Sequence, residues 1–273
     1  MRINCKGNLI DLSKPKIMGI LNVTPDSFFE GSRGQTIDSA LEKARKMIEE
    51  GADFIDIGGM STRPGSEEIS EEEEIKRVLP VIQSILQEFP ETLISIDTYR
   101  AKVAEKAVVA GAAIINDISA GNLDENFFKT VAEMNVPYIL MHMKGTPQTM
   151  QKNPHYENVT LEINQFFAQK INELRELGIN DIILDPGFGF GKTVEQNYEL
   201  LKNLNLIGFD EFPLLVGVSR KSMITKFLNI HQNEALNGTT VLNTLALQKG
   251  ANILRVHDVK EAKEVVEIWK KIQ

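Results

Sequence analysis

Short apolar runs that end on a polar or small residue recur along this chain. Residues 17–26 read IMGILNVTPD, an apolar run closed by an amide and followed at once by a Thr-Pro-Asp turn. The same arrangement returns at 53–59 (DFIDIGG), 93–97 (LISID), 113–117 (AIIND), 137–142 (PYILMH), 182–185 (IILD), 214–219 (LLVGVS) and 252–257 (NILRVH). Runs of this length without polar alternation predict strands buried on both faces. Their polar tips all lie at the C-terminal end.

Stretches with helical spacing separate the runs, at 37–50, 70–88, 101–110, 126–135, 157–177, 193–203, 233–249 and 259–272. Gly51, Gly111 and Gly178 stand where three of them stop. Ser70 with Glu73 three residues on has the pattern of a capping box. Strict alternation of strand and helix predicts an α/β protein with parallel strands and helical crossovers. Eight such pairs suggest a closed (β/α)8 TIM barrel, with an open doubly wound sheet as the alternative. No linker or repeat divides the chain, so 1–273 is expected to form one domain. The connections after the first two strands, 24–36 and 60–69, are longer than such loops usually are. Long loops on this face serve as lids or clamps, unless they are plain surface insertions.

Composition narrows the setting. A chain of 273 residues can bury a core without disulfide staples, and Cys5, the only cysteine, cannot form an internal one. The N-terminus lacks a basic segment leading into an apolar core, so a cytoplasmic location is expected. No run approaches the ~20 apolar residues of a membrane span. A formal net charge of -8 argues against general nucleic-acid binding, but leaves room for a local cationic pocket facing a small anion.

Two sets of tips could carry chemistry. Asp97, Asn116 and Asp185 form a carboxylate–amide set suited to reading the edge of a flat heterocycle. The alternative for each is a helix cap. Arg63, Lys221, Arg255 and His257 form a cationic set. Arg255 and His257, two apart, share one side of a strand and with Arg63 could hold a phosphate or pyrophosphate. Their alternative is a salt bridge to a barrel carboxylate. Residues 185–193 read DPGFGFGKT and fit neither the P-loop nor the dinucleotide spacing. They read as a turn whose glycines let the backbone and Phe190 approach a ligand. No HExxH, CxxC or dense histidine cluster marks a tight zinc site. A Mg2+ held largely by pyrophosphate would need only one or two protein oxygens.

With those residues placed, the sequence resembles the dihydropteroate synthases of the pterin-binding barrel superfamily, over nearly its whole length. The motifs are 22–31 (NVTPDSFFEG), 56–66 (DIGGMSTRPGS), 95–98 (SIDT), 116–121 (NDISAG), 141–151 (MHMKGTPQTMQ), 185–192, 219–224 (SRKSMI) and Arg255-Val-His257. The resemblance implies condensation of 6-hydroxymethyl-7,8-dihydropterin diphosphate with 4-aminobenzoate to 7,8-dihydropteroate and pyrophosphate. By motif position Asp97, Asn116, Asp185 and Lys221 would hold the pterin and Asn22 would contact Mg2+. Thr62, Arg63, Arg255 and His257 would bind the pyrophosphate. Phe28, Arg63, Pro64, Phe190, Lys221 and Ser222 would shape the aminobenzoate site, where sulfonamides would compete. A homodimer with contacts late in the chain is also implied.

One departure stands out. Phe29-Glu30 occupies a place where the family commonly has Ser-Asp, so the reach of that loop acid and sensitivity to individual sulfonamides are expected to differ. Two other readings compete: a methyltetrahydrofolate:corrinoid methyltransferase, which needs no pyrophosphate clamp, and a pterin-binding paralogue without activity.

Overall fold

The apolar runs fold into a ring of parallel strands. The computed structural model describes residues 1–24, 33–61 and 68–272, the side chains of 33–36 and 209 excepted. A hairpin comes first, β1 (Arg2–Cys5) and β2 (Asn8–Asp11). The ring follows: β3 (Lys16–Asn22), β4 (Phe54–Gly58), β5 (Leu93–Asp97), β6 (Ile114–Asp117), β7 (Tyr138–Met141), β8 (Ile182–Asp185), β9 (Leu215–Val216) and β10 (Ile253–Val256). Neighbours run β8-β7-β6-β5-β4-β3-β10-β9, all parallel. A bridge between Leu184 and Leu214 joins the two ends, so the sheet is the expected barrel and not an open one.

Helices α1 (Arg33–Glu49), α2 (Glu71–Glu88), α3 (Ala101–Ala110), α4 (Phe127–Met134), α5 (Val159–Glu176) and α6 (Val194–Lys202) cross over between strands. After β9 come two helices, α7 (Ser222–Leu228) and α8 (Leu236–Gln248), and α9 (Val259–Trp269) ends the fold. The hairpin and α7 lie outside the alternation read from sequence, and α1 begins at Arg33, four residues early. Only half of the expected capping box forms at α2. Ser70 Oγ accepts from Glu73 N–H at 3.2 Å, while the Glu73 carboxylate turns to Arg77 Nε at 2.9 Å.

Alternation along each strand divides two cores. Outward residues such as Ile17, Leu21, Ile55, Ile57, Ile94, Ile96 and Leu184 pack under the helices in one large cluster. Inward residues Met18, Phe54, Ile114, Ile139, Ile183, Leu215 and Ile253 form a second cluster with Ile3, Cys5 and Leu12. Burying each such side chain contributes roughly 1.5–3 kcal/mol. The hairpin closes this lower end: Asn4 N–H donates to Asp181 Oδ2 at 3.1 Å, and Asn252 Nδ2 donates to Leu12 O at 2.9 Å. Two residues further along the same inward faces stand Asp56, Ser95, Asn116, Asp185 and Arg255. Apolar packing thus gives way to polar groups toward the C-terminal mouth, where barrels of this kind carry their sites. No described helix is long and apolar enough to cross a membrane.

Candidate active site

Strand register aligns four tips in one row. Asn22 pairs with Gly58, Gly58 with Asp97, and Asp97 with Asn116. Gly58 puts no side chain between its neighbours: a Cβ there would lie 3.6 Å from both Asn22 Oδ1 and Asp97 Cβ. Arg255 enters this space from β10. Its Nη2 donates to Asp97 Oδ2 at 2.7 Å and its Nε to Asp56 Oδ2 at 2.6 Å. Asn116 Nδ2 donates to the same Asp56 oxygen at 3.0 Å.

Across the mouth, Asp185 ends β8 and accepts the Gly187 N–H at 2.7 Å through Oδ1. Lys221 stands directly before α7. Its Nζ donates to Phe188 O and lies 4.7 Å from the centre of the Phe190 ring. Ser222, the first residue of α7, is exposed beside it. His257 follows β10 with Nδ1 3.0 Å from Ser219 Oγ, and its backbone N–H donates to the same oxygen at 3.2 Å.

Charge is concentrated here in a setting poor in water. Burial pushes the Asp97 pKa up to about 7, with Asp56 and Glu74 adding to the shift and Arg255 opposing it. Burial also raises Asp185, against the pull of Lys221. Lys221 is lowered to about 8, first by burial, with Asp185 restoring part of its basicity. Burial works against the Arg255 cation as well, but Asp56 and Asp97 outweigh it and raise its pKa. The result is interleaved opposite charge, able to grip a polar ring and to respond to an anion.

Of the residues expected at the site, Asn22, Asp97, Asn116, Asp185, Phe190, Lys221, Ser222, Arg255 and His257 all lie at this mouth. Phe28, Thr62, Arg63 and Pro64 lie outside the described residues, as does Phe29-Glu30. The helix-cap alternative does not hold for Asp97 or Asp185. Asp97 bonds Arg255, Asp185 holds its own turn, α3 has no side-chain cap, and α6 is capped by Thr193. The ion-pair alternative does hold for Arg255, which bridges two barrel carboxylates. Asp56, fully buried, was not singled out from sequence. Its signal is a carboxylate inside an apolar run, which needs a buried cationic partner. Among the described residues no group of three or more His, Cys, Asp or Glu could hold a metal ion.

The family model for pterin binding enzymes matches residues 18–257, a span that includes all of these tips. A dihydropteroate synthase of Escherichia coli strain K12 is 45% identical over 270 residues, covering 98% of this chain and 95% of the relative. This chain belongs to the dihydropteroate synthase family. Solved structures agree with that membership. The Yersinia pestis dihydropteroate synthase in a sulfonamide drug complex superposes with a TM-score of 0.94 at 43% identity, covering 100% of this chain and 99% of that one. The Xanthomonas albilineans dihydropteroate synthase with 4-aminobenzoic acid gives 0.93 at 38% identity, covering 100% and 98%.

Proposed function

We propose that this enzyme joins 6-hydroxymethyl-7,8-dihydropterin diphosphate to 4-aminobenzoate, giving 7,8-dihydropteroate and pyrophosphate. The observation that carries the reading is the meeting of Asp97, Asn116, Asp185, Lys221 and Arg255 at one barrel mouth in a chain of this family. Asp97, Asn116 and Asp185 offer acceptors and a donor for the amino and amide edge of the pterin. Lys221 reaches the same space beside the Phe190 ring. Phe28, Pro64, Phe190, Lys221 and Ser222 would surround the aminobenzoate, with sulfonamides as competitors. Thr62, Arg63, Arg255 and His257 would take the diphosphate.

An aniline-type nitrogen is a weak nucleophile, so the enzyme must raise the electrophile. The C–O bond between the pterin methylene and the diphosphate breaks first, leaving a cation conjugated with the electron-rich ring. The amine then attacks the methylene and loses its proton. Arg63, Arg255 and His257 stabilise the charge that builds on the leaving group. Asp97 and Asp185 lower the energy of the cation by their nearby negative potential. A rate that tracks the nucleophilicity of substituted aminobenzoates under chemistry-limited single turnover would refute this order of events.

Mg2+ fits this site as a loosely held ion. Asn22 Oδ1 supplies one hard oxygen at the rim, and the lack of an acidic cluster among the described residues suits an ion coordinated mainly by water and diphosphate. When bound it would neutralise charge on the departing pyrophosphate. A homodimer and a cytoplasmic location complete the proposal. Exposed Phe227, Leu228, Val241, Leu245 and Ile268, all late in the chain, support the dimer.

The test is direct: purified protein, Mg2+, dihydropterin diphosphate and 4-aminobenzoate, with dihydropteroate detected by mass. Product that vanishes when aminobenzoate is omitted supports the reading. Folded protein that binds pterin and makes no product refutes it, and methyl transfer to a corrinoid would then identify the alternative chemistry.

A further inference from the structure

We propose that Lys192 is a positioning residue for the pterin and aminobenzoate site: from behind the turn at 186–191 it fixes the backbone that meets Asp185 and Lys221. The inference deepens the function proposed above and rests on it.

Lys192 is 3% exposed, and its ammonium makes three contacts. Nζ donates to Gly187 O at 2.9 Å and Phe190 O at 3.0 Å, and lies 3.0 Å from His142 Nδ1. A lysine ammonium has three N–H groups, so all are used within the protein. Burial, then the Lys192 and Lys144 charges, hold His142 well below the ordinary histidine range. An ammonium can only donate, so when Lys192 is charged Nδ1 accepts from it and the ring proton sits on Nε2.

The turn lies directly on the chain that follows β7. A Cβ on Gly187, at φ +69°, would stand 2.0 Å from His142 O, and one on Gly191 would stand 2.4 Å from Lys144 O. Gln151 Nε2 holds Gly189 O at 2.7 Å, and Tyr156 OH holds Gly191 O at 2.9 Å. Lys192 donates to two further carbonyls of the turn, Phe190 O and Gly187 O, the latter also accepting the Phe190 N–H at 3.1 Å. Those two peptides bracket the groups that face the ligand. The Gly187 N–H donates to Asp185, Phe188 O receives Lys221 Nζ, and the Phe190 ring lies beside that ammonium.

A buried cation is an expensive way to fill space. Burial lowers the Lys192 pKa to about 7, with Asp185 opposing and Lys221 adding to the shift. An apolar side chain would fill the same volume without that desolvation, but could not tie two carbonyls and an imidazole to one point.

The experiment compares wild type, Lys192→Met, His142→Asn and His142→Leu in steady-state kinetics with both substrates, alongside thermal unfolding. Lys192→Met should raise KM for 4-aminobenzoate by about tenfold with a much smaller change in kcat, as expected for misplaced binding groups. His142→Asn, which keeps an acceptor near Nδ1, should stay close to wild type, while His142→Leu should shift KM in the direction of Lys192→Met. Three results would overturn the inference: unchanged KM in folded Lys192→Met, activity lost only in proportion to the unfolded fraction, or equal defects in the two His142 variants. Should Lys192→Met fail to fold, the His142 pair decides alone. Wild-type protein that makes no dihydropteroate would sink the function and this inference together. Active wild type with an indifferent Lys192→Met sinks only the inference.

Discussion

Arg255 donates through Nε to Asp56 Oδ2 at 2.6 Å, deep between the strands, and Asn116 donates to the same oxygen. Asp56 therefore orients both a cation and an amide of the rim. Both bonds go to Oδ2 and Oδ1 has no partner among the described residues, so Asp56→Asn can still offer one oxygen to both donors; what it removes is the buried negative charge that faces Arg255. We expect kcat/KM for the pterin diphosphate to fall by about a hundredfold and unfolding free energy to drop by about 3 kcal/mol, since a buried charge loses one of two opposite charges. Urea unfolding and initial rates check this. Unchanged kinetics would reduce Asp56 to a spectator.

Asp185→Asn separates two uses of one carboxylate. The variant keeps an acceptor for the Gly187 N–H, so the turn should survive with little loss of stability. If the carboxylate holds the pterin as proposed, pterin binding should weaken by more than about tenfold. Titration calorimetry reads the second effect and chemical denaturation the first. Loss of several kcal/mol of stability would mark Asp185 as structural.

The barrel was legible because each apolar run ends on a polar or small residue, and that periodic break repeats with the helices. The hairpin escaped notice because its two strands are four residues each and partly exposed, joined at Lys6-Gly7 with positive φ at both residues. Helix α7 was hidden by its brevity: seven residues between Lys221 and left-handed Asn229 carry too few turns for a periodic signal. Asp97, Asn116, Asp185 and Arg255 stood out as tips. Asp56 lies two residues inside a strand and Lys192 inside a glycine turn. Their importance comes from partners 199 and 50 residues away, which no local pattern reveals.

Lys221 predicts a pH dependence. Its pKa is lowered to about 8, so the cation is present below that pH and lost above it. If the site needs the ammonium, kcat/KM should decline as pH rises through about 8, and Lys221→Gln should be slow with that limb flattened. Stability runs separately. A depressed lysine pKa means that the folded form resists protonation, so stability falls between pH 10.5 and about 8 on acidification and is level below. The difference in unfolding free energy between wild type and Lys221→Met isolates that slope.

Asn22→Ala tests the rim oxygen. Half-maximal activity should require about tenfold more Mg2+, with most of the rate recovered at saturation. A Mg2+ dependence identical to wild type would remove Asn22 from the ion's surroundings.

The ring of strands has one thin join. Between β8 and β9 only the Leu184–Leu214 bridge, with Leu184 N–H donating to Pro213 O at 2.9 Å, holds backbone to backbone. Asp185 stands on one side of this join and Lys221 follows on the other. A pterin held by both, as proposed, would span the seam as a rivet spans two plates. Substrate is then part of the wall it sits in, and amide hydrogens of 182–185 and 214–216 should exchange more slowly once it is bound.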